Sequence, residues 1–160
     1  MNTDTPRPSL LILDDEEMVL TSLRNLFRLQ TEYEVIVSSS AREALESART
    51  RPVDLVISDY LMPEMDGITF LGRFKEIQPQ SIRVLLTGYA DKENAIRAIN
   101  QVGLYQYIEK PWDNAELLIV VKNGLEKRQL LRTLEEKIAE LAKVNTNLKS
   151  LQTALLKAFL

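Results

Sequence analysis

The chain alternates two kinds of hydrophobic pattern, and the alternation repeats five times. Leu10-Leu11-Ile12-Leu13 is a solid apolar run, followed at helical spacing by Val19, Leu20, Leu23 and Phe27. Tyr33 to Val37 is succeeded by Ala41, Ala44, Leu45 and Ala48, and Val53 to Ile57 by Phe70, Leu71, Phe74 and Ile77. Ile82 to Leu86 precedes Ala95, Ile96 and Ile99, and Tyr105 to Ile108 precedes Leu117, Leu118, Val121 and Leu125. Short apolar runs that alternate with amphipathic helices predict right-handed βαβ units around a parallel sheet. Runs without polar alternation suit strands covered on both faces. The expected fold class is α/β, a doubly wound five-stranded parallel sheet.

The last part of the chain has another rhythm. From about residue 114 to residue 160 there is no proline and one glycine, Gly124. Leu134, Leu141, Leu148 and Leu155 fall seven apart, with Leu131, Ile138, Asn145 and Gln152 at the alternate heptad positions. A helix of about 45 residues would be near 70 Å long, about twice the width of a domain of this size. It could fold back on its own domain only in part, so a parallel coiled-coil homodimer is expected, with Asn145 as the polar core residue that sets register. The expected organisation is a flexible tail over residues 1–8, a domain over 9–127 and a coiled-coil helix over 128–160.

Composition narrows the chemistry. The 160 residues include no histidine and no cysteine, which excludes disulfides, His or Cys zinc sites, thiol nucleophiles and Ser-His-Asp triads. A net charge of −3 gives no general basic character, so no nucleic acid partner is expected of this chain. The opening MNTDTPRP lacks an apolar signal core, and the longest aliphatic run, Leu117 to Val121, is too short for a span. No membrane partner and a cytoplasmic location are expected.

Ligands in open α/β sheets lie beyond the carboxyl ends of the strands. The first run ends in Asp14-Asp15, the third in Ser58-Asp59, the fourth in Thr87-Gly88, and Lys110-Pro111 follows the fifth. Each has an ordinary explanation: Asp15 and Glu16 as a helix start, Asp59 in a turn, Thr87 at a strand end, Lys110 in solvent. Together they would gather three aspartates, a hydroxyl and an amine at one edge. Two carboxylates about 4 Å apart repel by about 4 kcal/mol at an effective dielectric of 20. A raised pKa or a bound cation relieves this, and oxygen-only ligands select Mg²⁺ or Mn²⁺, with Ca²⁺ a weaker fit. A divalent ion beside a carboxylate, with a hydroxyl and a lysine opposite, is equipment for phosphoryl transfer to that carboxylate.

These residues resemble the receiver domain of two-component response regulators. The resemblance covers about residues 9–127 and rests on LLILDDEE, LVISDYLMPEMDG, VLLTGYAD and YIEKPW, in that order. It implies a flavodoxin-like sheet of order 2-1-3-4-5 and a sensor histidine kinase as phosphoryl donor. It further implies that Asp59 is the phosphoacceptor, that Asp15 ligates Mg²⁺ directly, and that Asp14 acts mainly through water. Asp59 and the main-chain carbonyl of Leu61 would complete the metal shell. Thr87 would hydrogen-bond the phosphoryl group, Lys110 would pair with it across a cis Lys110-Pro111 peptide, and Tyr107 would be the switch aromatic. The switch would act on the face of the fourth helix, fifth strand and fifth helix, a second route to dimerisation. Leu61 and Tyr89 occupy the positions that line the path of attacking water, so a slow loss of phosphate is expected. Trp112, Met62 and Met65 are expected to pack.

The KPWDNAEL segment before a long helix resembles regulators whose output is a cyclic-di-GMP phosphodiesterase of HD-GYP type. The apolar end Ala158-Phe159-Leu160 suggests the N-terminal part of something longer, with any enzymatic output beyond this chain. Two other functions compete with the regulatory phosphoacceptor. One is a Mg²⁺-dependent aspartyl-phosphate phosphatase or phosphotransferase, against which stands Leu61 where such enzymes place a second aspartate. The other is a silent scaffold, against which stands the intact set of Asp15, Asp59, Thr87 and Lys110.

Overall fold

The computed structural model describes residues 6–159, apart from the side chains of Tyr89 and Phe159. The expectations placed on the Tyr89 side chain, on Phe159-Leu160 and on the first five residues of the tail lie outside the described residues. Five strands form one parallel sheet: β1 (Ser9–Leu13), β2 (Glu34–Ser38), β3 (Leu55–Asp59), β4 (Ile82–Thr87) and β5 (Gln106–Glu109). The order is β2-β1-β3-β4-β5, the flavodoxin-like arrangement. Five α-helices alternate with them: α1 (Glu17–Gln30), α2 (Ala41–Ala48), α3 (Gly67–Ile77), α4 (Lys92–Gln101) and α5 (Asn114–Phe159). A 3-10 turn, Tyr89–Asp91, lies between β4 and α4.

The solid apolar runs mark the inner strands. Every residue of β1, β3 and β4 is buried, whereas β2 and β5, at the two sheet edges, are largely half-buried. Two hydrophobic clusters cover the two faces. Alternate residues of β1, such as Leu10 and Ile12, join α1 and the first turns of α5, represented by Phe27 and Leu117. Leu11 and Leu13 point the other way, toward α2, α3 and α4, represented by Ala44, Phe70 and Ala98. Trp112 packs against the first cluster, and Met62 and Met65 against the second.

Helix starts follow local chemistry. Ser40 accepts from Glu43 N–H at the start of α2, and Asp66 accepts from Thr69 N–H at the start of α3. Helix α4 keeps only part of the expected face: Ala95 is buried as expected, together with Ala98, while Ile96 and Ile99 face solvent. Small residues let that helix lie close to the sheet, which the size of the isoleucines would prevent. Its far end is tied to β4 by Arg83, whose guanidinium donates to the carbonyls of Val102 at 3.0 Å and Gly103 at 3.2 Å. Gly103 has φ +61° and needs no Cβ there.

Residues through Leu125 form one compact unit, and Glu126 onward forms a second, purely helical one. In the second unit the heptad residues Leu134, Ile138, Leu141, Asn145, Leu148, Gln152 and Leu155 are exposed, and Leu131 is half-buried. No described helix is long and apolar enough to cross a membrane.

Candidate functional site

The parallel sheet aligns its strand ends, and the candidate residues lie just past them. Asp14 follows β1, Asp59 is the last residue of β3, Thr87 the last of β4, and Lys110 follows β5. Carboxylate oxygens of Asp14, Asp15 and Asp59 all lie within 4.8 Å of one another. Asp14 is fully buried, Asp59 is 6% exposed, and Asp15 faces solvent. The Lys110 ammonium lies 3.0 Å from an Asp59 oxygen and 3.2 Å from Asp14 Oδ2. Asp14 Oδ1 accepts from Glu16 N–H at 2.8 Å, so Asp14 also fixes the turn into α1. Glu16 itself makes no side-chain cap.

Three carboxylates gather beside one ammonium, a formal balance of −2. Burial pushes the Asp59 carboxyl above its usual range; Asp14 pushes the same way, and the Lys110 contact opposes them. For Lys110, burial favours the neutral amine, but the ion pairs with Asp59 and Asp14 outweigh it and hold the pKa above the ordinary lysine value. A cluster of oxygen donors with surplus negative charge fits a hard divalent cation. Lys110 contacts Asp14 and Asp59 of this cluster, and Asp15 is its solvent-exposed member.

Thr87 is fully buried and its hydroxyl donates to the Gly88 carbonyl at 3.2 Å. In the β3–β4 register Asp59 pairs with Leu86, which puts Thr87 one residue beyond the acceptor carboxylate. The Lys110-Pro111 peptide is cis. Tyr107 on β5 is half-buried against the second cluster. Leu61, two residues past Asp59, is 64% exposed. Gly67 is required by close approach: a Cβ there would meet the Asp59 carbonyl oxygen at 2.1 Å.

One connection escaped the sequence. Tyr60 N–H donates to Asp59 Oδ1 at 2.9 Å, and the Tyr60 hydroxyl accepts from Asn94 Nδ2 of α4 at 3.2 Å. The residue beside the candidate acceptor is thereby tied to α4. The partners are 34 positions apart on different elements, and no periodicity links them.

The family model for the response regulator receiver domain matches residues 10–122. The chain belongs to this family. Among curated relatives of the receiver domain, the hydrogenase transcriptional regulatory protein HoxA of Cupriavidus necator is 35% identical over 122 residues, covering 76% of this chain and 25% of that protein. The regulatory protein AtoC of Escherichia coli is 33% identical over 125 residues, covering 78% of this chain and 27% of its own length. The chain thus spans about a quarter of the length of these curated relatives. Among solved structures, the signal receiver domain of an HD domain-containing protein from Pseudomonas fluorescens is 38% identical, with a TM-score of 0.76 over 83% of this chain and 97% of that one. A response regulator receiver domain from Clostridium thermocellum is 32% identical, with a TM-score of 0.72 over 78% of this chain and 98% of that one. The receiver fold and the regulatory class expected from the motifs are therefore those of the family, and the small-molecule phosphatase alternative is not favoured.

Proposed function

We propose that this receiver domain accepts a phosphoryl group on Asp59 from a phosphohistidine of a sensor kinase. The observation that carries the reading is Lys110 bridging Asp59 and Asp14 beside Asp15, all at one edge of the sheet. An Asp59 carboxylate oxygen attacks phosphorus in line, an O–P bond forms, and the N–P bond to the donor imidazole breaks. Lys110 takes a phosphoryl oxygen in place of part of its present carboxylate contact. The Thr87 hydroxyl turns from the Gly88 carbonyl to another. Mg²⁺, or Mn²⁺ in its place, would be held by Asp14, Asp15, Asp59 and the Leu61 carbonyl, and supplies neutralisation of the charge gathered there. The chain has no histidine and so cannot itself be the donor.

The phosphoryl group adds about −1.5 to −2 charge at this edge. Thr87 and Tyr107 transmit the change to α4, β5 and α5, with Tyr60 and Asn94 as a second link into α4. Ile96 and Ile99 of α4 and Ile119 of α5 are exposed apolar side chains available on that face. The output is a homodimer formed through this face or through the α5 heptads from Leu131 to Leu155, and control of a further domain. The resemblance to the receiver of an HD domain-containing protein favours an HD-type output. A kinase donor charged by ATP would meet this domain in the cytoplasm, the location this reading carries. Incubation with acetyl phosphate and Mg²⁺ should add one phosphate-sized mass to the parent chain and none to Asp59→Asn. No gain on the parent, or equal gain on both, overturns the reading.

A further inference from the structure

The exposed face of α5 carries more apolar residues than one heptad seam can use. The leucine column Leu134, Leu141, Leu148 and Leu155 can be completed on either side. With Leu131, Ile138, Asn145 and Gln152 it forms one seam; with Leu130, Lys137, Val144 and Leu151 it forms another. The first is apolar in its upstream half and carries Asn145 and Gln152 between its leucines downstream. The second carries Lys137 upstream and is wholly apolar downstream, where Val144 is 54% and Leu151 57% exposed. At 3.6 residues per turn the two seams are rotated from each other by roughly 50° about the helix axis.

Resting on the dimer reading above, we infer that two copies of this chain pair through a broken seam. The first seam runs to Leu141, and the second takes over from Val144, putting Asn145 and Gln152 at the flank of the interface. Two apolar steps of three, Ile138 to Leu141 and Leu141 to Val144, then occur in succession where steps of three and four otherwise alternate. Such a three-residue irregularity locally overwinds the supercoil. Lys137 pairs with Glu140 at 3.5 Å on the exposed surface of the helix, and burying that ammonium upstream, or Asn145 and Gln152 downstream, is costlier than this local change. The occupant is a second copy because the repeat is self-complementary and the area suffices. Burying one such side chain removes roughly 60–120 Å², so eight on each of two copies reach roughly 1,000–1,900 Å², about what a specific interface buries. The break at Leu141 is then the point where a rotation of the upstream helix is taken up.

The chain lacks cysteine, so single-cysteine variants of the full chain read the seam directly. Under mild oxidation Ile138→Cys should crosslink about tenfold faster than Lys137→Cys, and Val144→Cys about tenfold faster than Asn145→Cys, because only core positions bring paired sulfurs within bonding reach. These positions are exposed in the single chain, so the variants keep its fold. Asn145→Cys outpacing Val144→Cys, with Ile138→Cys still fast, would leave the dimer standing and overturn the broken seam. Absence of crosslinking at all four positions would overturn both.

Discussion

Removing the charge of Asp59 should stabilise the domain when no divalent cation is present. At an effective dielectric of 20, the Lys110 ammonium 3.0 Å away attracts the Asp59 carboxylate by about 5 kcal/mol. Asp14, within 4.8 Å, repels it by about 3 kcal/mol, and the exposed Asp15 adds a screened contribution of the same sign. The repulsions offset more than half of the attraction, and burial, the largest influence on this carboxyl, tips the balance against the carboxylate. An asparagine keeps the oxygen that accepts from Tyr60 N–H. Asp59→Asn in metal-chelated buffer should therefore gain about 1 kcal/mol, or a melting temperature roughly 3 °C higher. A carboxyl raised in the folded state contributes stability below its unfolded value, 3.8, that is lost as pH rises through the folded one. The advantage of Asp59→Asn should thus vanish under acid conditions and grow toward neutral pH. Adding Mg²⁺ at about ten times its dissociation constant should stabilise the parent by about 1.4 kcal/mol and the variant by less. Thermal melts with and without chelator decide it. A variant less stable than the parent in chelated buffer at neutral pH would refute the claim that the site holds surplus negative charge.

Lys110→Met leaves Asp14 and Asp59 without their common partner. Because the lysine is partly exposed, the cost falls below that of breaking a fully buried pair, about 1–3 kcal/mol in urea unfolding without metal. Gly67→Ala should destabilise by about 1–3 kcal/mol, since the added Cβ forces the Asp59 main chain aside. Displacement by about 1 Å should also slow labelling by acetyl phosphate about a hundredfold, whereas an unchanged rate would mean that Gly67 does not position Asp59. With an apolar leucine two residues past Asp59, phosphate should be lost over minutes or longer at room temperature. A lifetime of seconds by intact mass would show that Leu61 and Tyr89 do not hinder water.

The fold was legible because every layer wrote its own period. The inner strands appear as unbroken apolar runs, and their ends name the site. Asp14, Asp59, Thr87 and Lys110 each sit where a run stops, and parallel strands in register bring such ends together. Edge strands were less distinct, since β2 and β5 are half-buried and their runs mix polar residues. In α4 the larger residues misled: Ile96 and Ile99 outweigh alanines in any hydrophobic pattern, yet the alanines pack. Long-range polar contacts left no trace. Asn94 reaching Tyr60 and Arg83 holding the end of α4 depend on which elements become neighbours, not on local spacing.

The claim that Asp59 is the acceptor is tested most directly by trapping the acyl phosphate. Borohydride reduces an aspartyl phosphate to homoserine with release of phosphate and leaves free carboxylates unchanged. After incubation with acetyl phosphate and Mg²⁺, peptide mapping should find homoserine at position 59 and at no other aspartate. Homoserine at Asp14, Asp15 or elsewhere, or none anywhere, would contradict the account.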